Sequence, residues 1–180
     1  MKRTDFLKRK IKTHLRKEQL LEDREYTKLE RLYSAKARKN FTVANILIKI
    51  SNEDKLKRVL KLAEGFEMFD WVIIVAYYAM YTSALAALSR IGFKSKSHAA
   101  TLAVLEYYYV HQQKDLEIGH LHKLSKAYRL SKELINKLIQ TKTRRETAQY
   151  DATSSISREN AKAALRDADE FITRIEKILA

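Results

Sequence analysis

Apolar residues recur along this chain at helical spacing, and in one place the polar interruptions almost vanish. No formally charged residue falls between Trp71 and Ser89, in a chain where 32% of residues are charged. A helix of those nineteen residues would be about 28 Å long at 1.5 Å per residue, enough to cross a bilayer or the core of a small helical domain. Tyr77, Tyr78, Tyr81, Thr82 and Ser83 sit in the middle of the run, where an interfacial aromatic belt does not belong. The Ala-rich half from Ala84 to Leu88 suits close approach of neighbouring helices. The pattern therefore predicts a buried central helix over Asp70–Arg90 and no membrane partner.

The rest of the chain reads as amphipathic helices arranged around it. Residues 3–20 place Leu7, Ile11 and Leu15 four apart, with Lys and Arg on the other faces. A second, salt-bridge-laced helical stretch is expected over residues 21–37, and an apolar pattern returns through Ala37, Phe41, Ala44, Ile46, Leu47 and Ile50. Ser51-Asn52-Glu53-Asp54 supplies a break with capping residues, followed by a short basic helix over 55–62. Gly92 is a natural stop for the central helix. Beyond it come an apolar helix over 99–110, a turn near Gly119 and an amphipathic helix over 121–138. Residues 141–156 read as a polar segment, and Ser157 as the N-cap of a last helix. That helix carries Ala161, Leu165, Ala168, Phe171, Ile172 and Ile175 on one face.

Composition narrows the class. The chain has no proline and only three glycines, whereas strand-rich folds need many tight turns built from such residues. An all-α, up-and-down helical bundle is predicted, with residues 1–33 as a basic N-terminal helical extension and 34–180 as the bundle. Without cysteine there is no disulfide framework and no thiolate metal site, and the basic N-terminus lacks the apolar stretch of a secretory signal. A cytoplasmic protein is expected. The charge of +14 is uneven: residues 1–40 hold 14 Lys/Arg against 6 Asp/Glu. Such a surplus favours polyanions, which makes Arg9, Lys10 and Arg16 candidate nucleic-acid contacts, together with Lys142 and Arg144 further on.

Catalytic signatures are sparse. There is no phosphate-cradling glycine loop, no nucleophile elbow and no helical zinc-histidine pair, and His14, His111, His120 and His122 read as surface residues. No metal and no cofactor are expected. The segment Arg144-Arg145-Glu-Thr-Ala-Gln-Tyr150-Asp151 pairs an Arg with a Tyr inside a polar stretch. By itself it suggests only a tyrosine over a loop and a surface ion pair.

Three groups of residues together resemble the HEPN superfamily over about residues 34–179. The first is Ala76-Tyr77-Tyr78-Ala79-Met80-Tyr81, followed by Gly92 and by His98 opening the next helix. The second is Arg145-x4-Tyr150-Asp151 with Ser157 and Glu159-Asn-Ala161. The third is Ala168-Asp-Glu-Phe171-Ile-x-x-Ile175.

The resemblance implies a helical bundle that forms a homodimer and binds RNA or nucleotides. In many members it also implies a metal-independent ribonuclease toxin, countered by a small nucleotidyltransferase. The active motif it implies is an Arg, four to six residues, then a His. Here Arg145 takes the Arg position and Tyr150 the His position, with Asp151 to orient them and His98 as a residue that could face the same cleft. A His with a pKa near 6.5 shuttles protons at neutral pH, and a Tyr near 10 does not. The alternative implied is therefore a non-catalytic interaction module that partners a nucleotidyltransferase, with Tyr150 as an acceptor of nucleotidylation. An architectural DNA-binding protein is a third reading.

Overall fold

The computed structural model describes residues 2–144 and 157–180, with side chains described for all of these but 137–144. Among the described residues there are seven α-helices: α1 (Arg3–Arg16), α2 (Glu30–Asn52), α3 (Asp54–Val59), α4 (Phe69–Arg90), α5 (His98–Leu105), α6 (Ile118–Arg144) and α7 (Arg158–Leu179). A 3-10 turn (Arg24–Leu29) precedes α2, and α5 runs on into a π-helical turn, Glu106–Gln112. The all-α bundle is as the composition predicts, with one addition. Leu20–Glu22 (β1) and Phe93–Ser95 (β2) form a two-stranded antiparallel sheet, Leu20 opposite Ser95 and Glu22 opposite Phe93.

The apolar run folds as the centre of the bundle. Phe69–Arg90 is long and apolar enough to cross a membrane, but 83% of its most apolar window is buried in the protein. Ala76, Ala79, Ala84, Ala86 and Ala87 are all buried, and small side chains let α2, α6 and α7 approach its axis. α2 runs antiparallel to α4, because Arg90 meets Glu30 at 3.2 Å while the backbone N–H of Met68 donates to Ser51 Oγ at 2.9 Å. Ser51 was expected to cap the next helix; instead it ties the end of α2 to the start of α4. Tyr109 lies in the core, and its hydroxyl donates to the Ala87 carbonyl at 2.7 Å.

The N-terminal residues join this core. Leu7, Ile11 and Leu20 are buried, and Arg3 holds the mostly buried Glu106 through two bonds of 2.6 and 2.8 Å. The boundary expected between residues 33 and 34 falls inside α2. The helix expected over 21–37 is divided into β1, the 3-10 turn and the start of α2. Gly92 explains the division: at φ +79° it turns the chain back from α4, and its carbonyl accepts from the Asp23 N–H at 2.9 Å. A Cβ there would sit 3.3 Å from the Asp23 carbonyl oxygen. Leu20–Glu22 is drawn into a strand by that neighbour, against its own helical pattern.

α6 is longer than its sequence pattern suggests. It begins at Ile118, so that Gly119 lies in its first turn, and it continues through Thr141–Arg144. α7 starts where expected, with the Ser157 hydroxyl accepting from the Asn160 N–H.

Candidate nucleic-acid interface

Among the described residues, three places carry the residues singled out from the sequence. The first is the end of α6, where Lys142 and Arg144 occupy the last turn of the helix. Arg145, Tyr150 and Asp151, the expected reactive residues, lie outside the described residues.

The second is His98, the first residue of α5. Its ring stacks on Tyr128 of α6, with centroids 4.0 Å apart and planes 11° from parallel. Tyr77 and Tyr81 of α4 stand 6.2 Å away on other sides. Neither ring nitrogen has a hydrogen-bond partner among the described residues, and both are closed off from solvent. Burial lowers the His98 pKa from 6.5 to about 4, since a charge there would lose its hydration with nothing in exchange. His98, a candidate either for packing at a helix start or for facing a nucleic-acid cleft, is here a neutral packing residue, and its ring partner Tyr128 precedes Arg144 by sixteen residues, about 24 Å along α6.

The phenols around His98 obey the same rule. Burial raises the Tyr77 pKa. It also raises that of Tyr81, where hydrogen bonding with Thr101 and Ser95 partly opposes the effect. Those two hydroxyls are themselves bonded at 2.9 Å, and Thr101 Oγ1 also donates to the Ser97 carbonyl. The cluster thus fixes the start of α5 against α4 and α6. It offers the solvent no charged group.

The third place is α1. Leu7, Ile11 and His14 face inward, so the opposite side of the helix carries Arg9, Lys12 and Arg16, all exposed. None of the three has a carboxylate partner among the described residues. Lys10 lies on the flank and is half-buried. Lys12 was not singled out from the sequence; the helical spacing 9, 12, 16 would have found it. His14, expected at the surface, is buried, with Nδ1 2.7 Å from Gln19 Oε1. Lys96, whose N–H donates to the Gln19 carbonyl, adds one more exposed cation beside the end of α1. The arrangement is a ridge of unpaired cations on a helix anchored from below, able to follow a phosphate backbone without folding anew.

The pattern of the HEPN domain matches residues 44–178. The chain belongs to the HEPN family. The match runs from the second half of α2 to α7 and leaves α1, β1 and the 3-10 turn outside it. The basic ridge is therefore an addition to the HEPN bundle, anchored in the same core. No protein of curated function matches the chain.

Proposed function

We propose that this HEPN protein binds RNA in the cytoplasm and cleaves it slowly without a metal, with Arg145, Tyr150 and Asp151 as the reactive residues. Membership of the HEPN family is the observation that carries the reading, and the unpaired cations of α1 support it. Arg145 would hold the scissile phosphate through two parallel N–H···O bonds and stabilise the charge that grows there. Tyr150 stands where the resemblance implies a His. A phenol, whose reference pKa is near 10, is protonated at neutral pH, so Tyr150 would serve as an acid. As the 2′-hydroxyl attacks phosphorus and releases its proton to water, Tyr150 protonates the departing 5′ oxygen, leaving a cyclic phosphate. Asp151 orients the pair. Lacking a base near neutrality, the reaction is slow.

That same tyrosine favours a second reading, in which the protein retains RNA but cleaves none and acts as a module for a nucleotidyltransferase that modifies Tyr150. One assay separates them: labelled RNA is incubated with wild type and Arg145→Ala, each with and without EDTA. Cleavage that survives EDTA and disappears in the variant supports the nuclease. Binding without cleavage supports the module, and equal cleavage by both proteins removes Arg145 from the site.

A further inference from the structure

A hollow of about 630 Å³ opens at the end of α7, between the 3-10 turn, the first turn of α2 and the last residue of α4. Its volume lies in the range of small-molecule sites, about 300–1,000 Å³, but most of those are apolar. This one is walled by Thr27, Lys28, Glu30, Arg31 and Arg90, with the end of α7 as an apolar edge. Among its side chains three cations stand against one carboxylate.

The cations keep capacity to spare. Arg90 is half-exposed and meets both oxygens of Glu30 through Nη1 alone, at 3.2 and 3.3 Å. Its Nε and Nη2 donate to no group among the described residues; Arg3 uses the same edge to hold Glu106. Glu30, mostly buried, thus fixes the guanidinium and leaves an edge shaped for two oxygens of one phosphate. Arg31 is exposed and has no carboxylate partner among the described residues. Lys28 holds only the exposed Glu25, a pair that is easily given up. The end of α4 does not oppose an anion with bare carbonyls. The Ala87 carbonyl accepts from the Tyr109 hydroxyl, and those of Leu88 and Ser89 accept from the N–H groups of Ile91 and Gly92.

We infer that this hollow binds a small phosphorylated sugar or polyol. Arg90 takes the phosphate by its unused edge, and Arg31 and Lys28 balance the charge. Glu30 and Thr27 accept from the ligand's hydroxyls; the Thr27 hydroxyl spends its own proton on the Arg24 carbonyl at 2.8 Å, so its oxygen is left as an acceptor. No aromatic side chain lines the hollow, so a nucleobase finds nothing to stack on. The site is also remote from the proposed cleavage site. Arg145 and Tyr150 precede the start of α7, whose Ala163 and Ala164 lie beside Ile73. Arg90 follows Ile73 by seventeen residues, about 25 Å along α4.

None of Arg9, Lys12, Arg16 and Arg145 lines the hollow, so failure of the RNA reading leaves this one standing. Isothermal titration calorimetry at constant ionic strength tests it with four probes: glucose 6-phosphate, glucose, inorganic phosphate and AMP. Glucose 6-phosphate should bind, inorganic phosphate more weakly, glucose not at all, and AMP no better than inorganic phosphate. Arg31→Gln should weaken glucose 6-phosphate about tenfold, as loss of one charge-assisted contact does. Arg90→Lys should weaken it as much, because Lys keeps the charge and loses the two-pronged edge. Both variants should keep the wild-type circular dichroism spectrum. If the cations serve only to balance the carbonyls at the end of α7, Arg31→Gln lowers the melting temperature and wild type binds no phosphorylated probe. That result, equal affinity in wild type and both variants, or AMP binding more tightly than glucose 6-phosphate would each overturn the inference.

Discussion

Between pH 6.5 and 4 the His98 imidazole is protonated in the unfolded chain and neutral in the folded one. Its pKa is about 4 in the bundle because burial strips its hydration, and near 6.5 once exposed. The unfolded state therefore binds more protons throughout that window, and stability must fall as the pH falls. The stabilisation is whole above pH 6.5 and lost by about pH 4; the shift from 6.5 to about 4 corresponds to at most about 3.5 kcal/mol at 1.4 kcal/mol per pKa unit, less with partial solvent screening. Replacing His98 by Phe keeps an aromatic ring on Tyr128 and removes the titration. Thermal unfolding from pH 7.5 to 4 should show a shallower decline for His98→Phe than for wild type. Parallel curves would mean that the ring is already solvated or paired. The sequence marks His98 as a residue opening a helix, but its neutrality depends on Tyr77, Tyr81 and Tyr128, which two other helices bring to it. Spacing along α5 carries no trace of them.

At the scale of elements, legibility follows the length of the pattern. α4 and α7 each run for six turns with apolar positions that agree, so local spacing and the final packing point the same way, and Ser157 caps where its chemistry says it should. β1 was invisible because three residues cannot establish a period, and Leu20–Glu22 pairs only because Gly92 brings β2 beside it. The segment proposed to be reactive has a further limit. A polar stretch shows no periodicity for local reasoning to use, so Arg145, Tyr150 and Asp151 rest on the resemblance alone. α1 was legible as a helix, but its destination was not, since a narrow apolar stripe fits its own domain, a second copy or a nucleic-acid backbone. The structure docks it through Leu7 and Ile11. Leu7 is 1% exposed, so Leu7→Ala should cost about 3 kcal/mol, within the usual range for a buried leucine. It should do so in one cooperative transition shared by fluorescence at Trp71 and by circular dichroism. Two separated transitions would show that α1 melts apart from the bundle.

For the molecule as a whole, the charge of +14 matters less than where it is left unpaired. Arg3, Lys28, Arg38, Lys57, Arg90 and Lys123 all have carboxylate partners within 4 Å, six of the 36 Lys and Arg in the chain. The exposed row Arg9, Lys12, Arg16 has none among the described residues and stands on a helix fixed by its other face. If RNA lies along that row, each cation displaces condensed counterions from single-stranded RNA, contributing about 0.7 to the slope of log affinity against log salt. Changing all three to Gln should therefore weaken RNA binding and flatten that slope by about 2, with helicity unchanged because none of the three side chains is buried. Fluorescence anisotropy with a labelled single strand between 50 and 200 mM KCl, as working concentrations, measures both quantities. Arg145→Ala is the natural control: as a single phosphate contact it should move the slope by less than 1 while removing cleavage. A triple variant with the wild-type slope would put the RNA on another face of the bundle and leave the basic helix a purely structural part.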